Sequence, residues 1–324
     1  MAPSFEPPPT LRSPHVQTLL ASSFLRRRRQ RPFATALNAA AQHTLIPCRD
    51  GIRLTAKLNI TAADAPLAVL IHGWLGDADS AYLIDMAQVL SRSGFNVARL
   101  NLRDHGGSEH LNQGMFNSAR LDEVVDAVHW LHDRHGQRGT ALIGYSLGGN
   151  FALRVAARNT VPLQSCFAVC PVVDPVATMD QLDNGWLAYR WYFLRKWRNA
   201  LLAKQAAFPD LYQYGSALKL NRLEPLTGYF VEHYTDFAST REYLDAYSLL
   251  NGRLAGLSIP SFILTAADDP VIPAEDFAAL PKDVPLHLHM TSHGGHCGFL
   301  QNLSFETYCA GVVLGFLGQL SGTK

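Results

Sequence analysis

Residues 141–150 read Ala141-Leu142-Ile143-Gly144-Tyr145-Ser146-Leu147-Gly148-Gly149-Asn150, and the fold is decided there. Thr140 to Ile143 end a short apolar run, Gly144 to Gly148 form a G-x-S-x-G pentapeptide, and Gly149 to Ala157 open an apolar, helix-forming segment. That order is strand, sharp turn, helix. A serine at the apex of such a turn projects its hydroxyl out of the fold, and crowding there demands residues without a Cβ two before and two after it; Gly144 and Gly148 satisfy this. The amides that open the helix point back at the apex, so the Leu147 N–H lies where an oxyanion can form. The bare pentapeptide is a common coincidence. Its weight comes from its flanks and from partners elsewhere in the chain.

Upstream, Pro66 to His72 is a continuous apolar run of the kind a strand buried on both faces requires, and it ends in His72-Gly73-Trp74-Leu75-Gly76. A glycine-containing loop after a central strand can turn a backbone N–H toward the nucleophile, which makes Trp74 N–H the candidate second oxyanion donor. The plainer alternative is a tight loop with Trp74 packed on the core. Before it, residues 43–60 alternate around Asp50-Gly51 and read as a hairpin. After it come a helix over 81–93, a strand over 95–102, the turn Arg103 to Ser108 and a helix over 121–135. Asp104 and His105 are adjacent on that turn and cannot hold one another as base and orienter, so bracing of the first oxyanion loop is the expected role. Downstream, 163–169 is a strand. The succession implies a mostly parallel sheet with right-handed crossovers, flanked by helices.

Residues 176–250 break the rhythm. They carry helical patterns rich in aromatics, with Trp186, Tyr189, Phe193, Trp197 and Leu201 on one face, and read as a helical cap insertion over the sheet edge. Any one of these rings is more simply packing than substrate contact. The alternation then resumes with a strand over 259–265, a short helix over 276–280, a strand over 285–290 and a closing helix over 306–320. The division is therefore an N-terminal extension (1–40), a core in two pieces (41–175 and 251–324) and the cap (176–250).

The length, 324 residues, is ample for a full core, and 48% hydrophobic against 17% charged residues describes a rather apolar globular enzyme. A formal net charge of +1 argues against a dedicated nucleic-acid binder. Five scattered cysteines without a C-x-x-C pair suggest neither a disulfide framework nor a zinc site; reduced thiols and a cytoplasmic location are expected, with neither secretion nor a transmembrane anchor. Residues 1–10 are proline-rich and expected to be extended or disordered. Arg26 to Arg29 offer a weak contact to an anionic membrane surface, although the solvated end of a short helix is the simpler expectation. His15 lacks a metal partner at ligand spacing and reads as a hydrogen-bonded structural histidine.

A serine hydroxyl needs a general base within reach. Among thirteen histidines, His296 stands in a loop after the last strand between Gly295 and Gly298, which would let its ring approach the elbow; His293 in the same loop is the alternative. The imidazole needs a buried carboxylate, and Asp269, followed by Pro270-Val271-Ile272-Pro273, is preferred over Asp268. Ser146, Asp269, His296 is the Ser…Asp…His order of α/β-hydrolases. With Pro14-His15-Val16-Gln17-Thr18, His72 to Gly76, Asn101 to Ser108, Gly144 to Asn150 and Gly294 to Phe299, the chain resembles the YheT-like group of that fold. The resemblance implies carboxylic ester hydrolysis, with relatives acting on medium-chain acyl esters or passing acyl groups to alcohols. No metal or organic cofactor is needed for such chemistry, and a small-molecule ester is the expected partner. The alternatives are an acyltransferase using the same residues and a non-enzymatic relative that binds a ligand.

Overall fold

The computed structural model describes residues 4–321. Two helices, α1 (Pro14–Ala21) and α2 (Phe24–Ala39), precede the hairpin of β1 (Gln42–Pro47) and β2 (Arg53–Asn59). Asp50 and Gly51 at its tip hold φ of 55° and 70°, the left-handed pair a tight Asp-Gly turn requires. Then β3 (Leu67–Ile71), α3 (Ala81–Arg92), β4 (Asn96–Asn101), α4 (Asp122–His135), β5 (Thr140–Tyr145), α5 (Leu147–Arg158) and β6 (Ser165–Val169) alternate. Four helices follow without an intervening strand: α6 (Pro175–Asn184), α7 (Leu187–Ala207), α8 (Leu223–Tyr234) and α9 (Thr240–Ala246). The chain closes with β7 (Ser261–Ala266), β8 (Leu286–Thr291) and α10 (Tyr308–Ser321).

The strands form one eight-stranded sheet in the order β1-β2-β4-β3-β5-β6-β7-β8. β2 runs antiparallel to β1 and β4, and every pairing from β4 across to β8 is parallel. The continuous apolar runs make sense once both faces are covered. On one face Val69, Ile71 and Leu142 meet Val128 of α4 and Phe151 of α5; on the other Leu70 and Ile143 meet Leu83 and Leu90 of α3 and Val313 of α10. Successive strand residues point to opposite faces, so a single run feeds both cores, each fully buried aliphatic side chain contributing about 1.5–3 kcal/mol. Trp197 and Leu201 of α7, Phe230 of α8 and Leu244 of α9 join the first core, which ties residues 175–246 to the sheet edge that bears the serine.

The N-terminal region departs from its sequence reading. Residues 1–3 of the expected extension lie outside the described residues, but Phe5 is buried and stacks on Tyr308 at 5.0 Å, and Pro9–Leu11 forms a turn of 3-10 helix, so this stretch is packed on the core. Arg26 is not part of a solvated basic end: it is buried, donates to Ala21 O and pairs with Asp85 of α3, while Arg27, Arg28 and Arg29 are exposed. Nor is the helix short, since α2 continues through Pro32 to Ala39. Trp186 also differs from expectation. It precedes α7 and is 47% exposed, whereas Tyr189, Trp197 and Leu201 are buried. No described helix is long and apolar enough to cross a membrane.

Candidate active site

The turn between β5 and α5 puts Ser146 at φ 53°, ψ −120°, a conformation disfavoured for a residue with a side chain. The flanking glycines show what holds it. A Cβ on Gly144 would lie 2.0 Å from Gly148 O, and one on Gly148 would lie 2.3 Å from Ile71 O, so the elbow is wedged against the end of β3. Ser146 N–H donates to Val169 O of β6, and Ser146 O accepts from Asn150 N–H in the first turn of α5.

His296 Nε2 stands 3.0 Å from Ser146 Oγ, and its Nδ1 is 2.9 Å from Asp269 Oδ2. A carboxylate only accepts, so Nδ1 carries the proton and Nε2 is left to accept from the serine hydroxyl. Asp269 Oδ1 accepts from Val271 and Ile272 N–H at 2.8 and 3.0 Å, and its side chain is fully buried. Burial opposes a charge on His296, but the Asp269 carboxylate and the Cys297 sulfur beside it together more than offset this and hold its pKa well above the ordinary value. The alternatives weighed from sequence form a second pair: Asp268 Oδ1 accepts from Gly295 N–H at 2.8 Å, and Oδ2 lies 3.5 Å from His293 Nδ1. They brace the loop that carries His296.

Trp74 and Leu147 line the same cavity as Ser146, and neither N–H has a protein acceptor among the described residues. The Trp74 loop is held from behind by two buried histidines. His72 Nδ1 donates to Gly73 O at 2.7 Å while Nε2 accepts from Leu102 N–H, and His105 Nδ1 donates to Arg103 O at 2.6 Å while Nε2 accepts from Leu75 N–H. Burial pushes them down to about 4 and about 3, so both stay neutral. Asp104 takes no part with His105; it accepts from Phe116 N–H and from Lys204 Nζ at 2.8 Å.

His296 does lie beside the elbow, at 3.0 Å from Ser146 Oγ, but its flanking glycines serve another purpose. A Cβ on Gly295 would meet Pro14 O at 2.5 Å, and one on Gly298 would meet Gln17 Oε1 at 2.9 Å: they admit α1, not the elbow. Thr18 Oγ accepts from His296 N–H at 2.9 Å, and the buried Gln17 amide bridges Leu11 O, Leu300 O and Leu300 N–H. His15 Nδ1 reaches Tyr189 OH at 3.0 Å and so joins α1 to α7. Neither Gln17 nor Thr18 stands out in the sequence as a site residue, and the polar pair they make within the segment 14–18 is the signal there was for this brace.

Ser146 opens onto two cavities. One, between sheet and cap, is lined by apolar groups including Leu182, Phe193, Trp197, Phe230 and Val271; the other holds His296, Cys297, Tyr82, Tyr192, Lys196 and Leu19. Cys170, His296 and Cys297 have their Nδ1/Nε2 and Sγ atoms within 4.8 Å of one another.

A strained serine on a strand-to-helix elbow, in a parallel sheet of this order, defines the α/β-hydrolase class, and a family model described as alpha/beta hydrolase fold matches residues 66–303. The chain belongs to that family. It is 26% identical over 299 residues to the Escherichia coli (strain K12) protein named "Putative esterase YheT", covering 88% of this chain and 84% of that one. It is also 22% identical to mouse "Phospholipase ABHD3" (75% of this chain, 61% of the relative) and 23% identical to the Saccharomyces cerevisiae "Medium-chain fatty acid ethyl ester synthase/esterase 2" (73% and 58%). Among solved structures, an esterase of Pyrococcus furiosus, Pf2001, superposes with a TM-score of 0.59 at 16% identity, covering 89% of this chain and 94% of that chain.

Proposed function

We propose that this protein is a serine hydrolase that cleaves carboxylic esters of short to medium acyl chains through an acyl-enzyme. The observation that carries this is the unbroken path Asp269, His296, Ser146 ending beside two unengaged backbone N–H groups. His296 Nε2 takes the Ser146 proton as Oγ bonds to the ester carbonyl carbon, and the Leu147 and Trp74 N–H groups receive the oxyanion. Collapse expels the alcohol, which takes its proton from His296. Water then attacks the acyl-enzyme, with His296 again as base, and Ser146 is released. The apolar cavity under the cap suits the acyl chain, and the cavity bearing His296 suits the alcohol. Passing the acyl group to an alcohol instead of water is the second reading, supported by the name of the yeast relative.

A fluorophosphonate probe should label the wild type but neither Ser146→Ala nor His296→Ala, and loss of labelling in the wild type would overturn the reading. Leu147→Ala should cost far less than Ser146→Ala, because the donor is backbone; losing a donor outright costs about 3 kcal/mol. Ester synthesis with added ethanol, followed against hydrolysis, separates the two readings. The proposed surface contact falls to Arg27, Arg28 and Arg29 with the neighbouring Phe24 and Leu25, which are 74% and 58% exposed. Cosedimentation with anionic vesicles, lost at high salt and absent with neutral ones, tests it.

A further inference from the structure

Cys297 follows His296 directly and lines the cavity that holds Ser146, while Cys170 lies fully buried just beyond the end of β6. Their sulfur atoms are within 4.8 Å of one another, and Cys297 N–H donates to Cys170 Sγ at 3.4 Å. Both residues hold left-handed backbone, φ 43° and 56°, which side chains seldom adopt. Packing, not local preference, therefore sets the two thiols against each other. The other three cysteines, Cys48, Cys166 and Cys309, have their thiols pushed far up by burial.

We propose that Cys297 and Cys170 form a peroxide-sensitive disulfide that switches off the proposed Ser146 site. Cys297 borders the cavity that holds Ser146, where peroxide can reach it, whereas Cys170 is fully buried behind it. Cys297 is thus the attacking sulfur and Cys170 the resolving one. The Cys297 thiolate bonds to one oxygen of hydrogen peroxide, the O–O bond breaks and hydroxide leaves, giving a sulfenic acid with sulfur oxidised by two electrons. Cys170 sulfur then bonds to Cys297 sulfur, the S–O bond breaks, and the departing hydroxide leaves as water with the Cys170 proton. Overall, two thiols and one peroxide give one disulfide and two waters. The sulfurs must close to about 2 Å, which draws residue 297 toward β6 and takes the adjoining imidazole off Ser146.

The activity half of this inference rests on the hydrolase reading; the disulfide half does not. Reduced wild type is treated with hydrogen peroxide in buffer containing EDTA, then mapped by mass spectrometry without reduction and labelled with fluorophosphonate in parallel. The expected result is a Cys170–Cys297 linked peptide and labelling lowered about 100-fold, the scale for a reacting group displaced by 1 Å, both reversed by dithiothreitol. Cys297→Ser should keep its own untreated labelling through the treatment, and Cys170→Ser should leave Cys297 as a sulfenic acid captured by dimedone. Absence of the linked peptide, undiminished labelling once it has formed, or equal sensitivity of Cys297→Ser overturns the switch. A linked peptide in a protein that never labels supports the disulfide and removes the hydrolase reading instead.

Discussion

Asp269 is held from two sides: two backbone N–H groups fix one carboxylate oxygen while the other faces His296. The same carboxylate, together with Cys297, raises the imidazole pKa against the pull of burial, so the neutral imidazole that the proposed mechanism needs prevails only as pH rises above the ordinary histidine range. The expected kcat/KM profile therefore climbs into alkaline pH. Asp269→Asn removes the carboxylate and leaves the burial, so its acid limb should move to lower pH while the rate falls about 10⁴-fold; stopped assays across pH 5–9 would check both. An acid limb that stays in place would mean that Asp269 does not set the base. The Asp-Pro-Val-Ile-Pro run that pointed to Asp269 also supplies, in Val271 and Ile272, the two amides that hold its carboxylate.

At the scale of elements, α7 is fastened to the core by Lys204. Its ammonium, 1% exposed, reaches Asp104 and the carbonyl oxygens of Glu109 and Asn112. Removing one partner of a buried pair leaves the other charge uncompensated, so Lys204→Met should lose about 3–5 kcal/mol in urea unfolding. Lys204→Met with Asp104→Asn should recover part of that, since Asn suits the left-handed φ of 59° there and can still accept from Phe116 N–H. A double variant no better than the single one would show that the lysine matters for packing alone. The strands and the elbow were legible because their signals are local: an apolar run, an alternation, a glycine two residues away. Lys204, Arg26 and Thr18 were not, because their partners lie 100, 59 and 278 positions away. α2 was obscured by Pro32, which lacks a helix donor, and by a polar sequence whose seat on α3 depends on Arg26 and Gln30 meeting Asp85.

For the whole molecule, the neutral buried pair His72 and His105 links stability to pH. Each takes up a proton near pH 6.5 when unfolded but only near 4 and 3 when folded, so the unfolded chain binds more protons as pH falls through this window. The contribution of this pair is full above pH 6.5 and declines toward 4, by about 2 kcal/mol for each histidine at pH 5. His105→Gln should flatten the fall in Tm between pH 7 and 5, and an unchanged slope would mean that His105 is not the linked group. The brace between α1 and the His296 loop has a consequence for the timing of activity. Thr18 leaves the ribosome early and His296 near the end, and at about 5–20 residues per second the intervening synthesis takes tens of seconds. Over the later part of that interval, once residue 146 has been made, the nascent chain carries the elbow serine without His296, so on the proposed mechanism a product truncated before residue 296 lacks its base however well its first strands have paired.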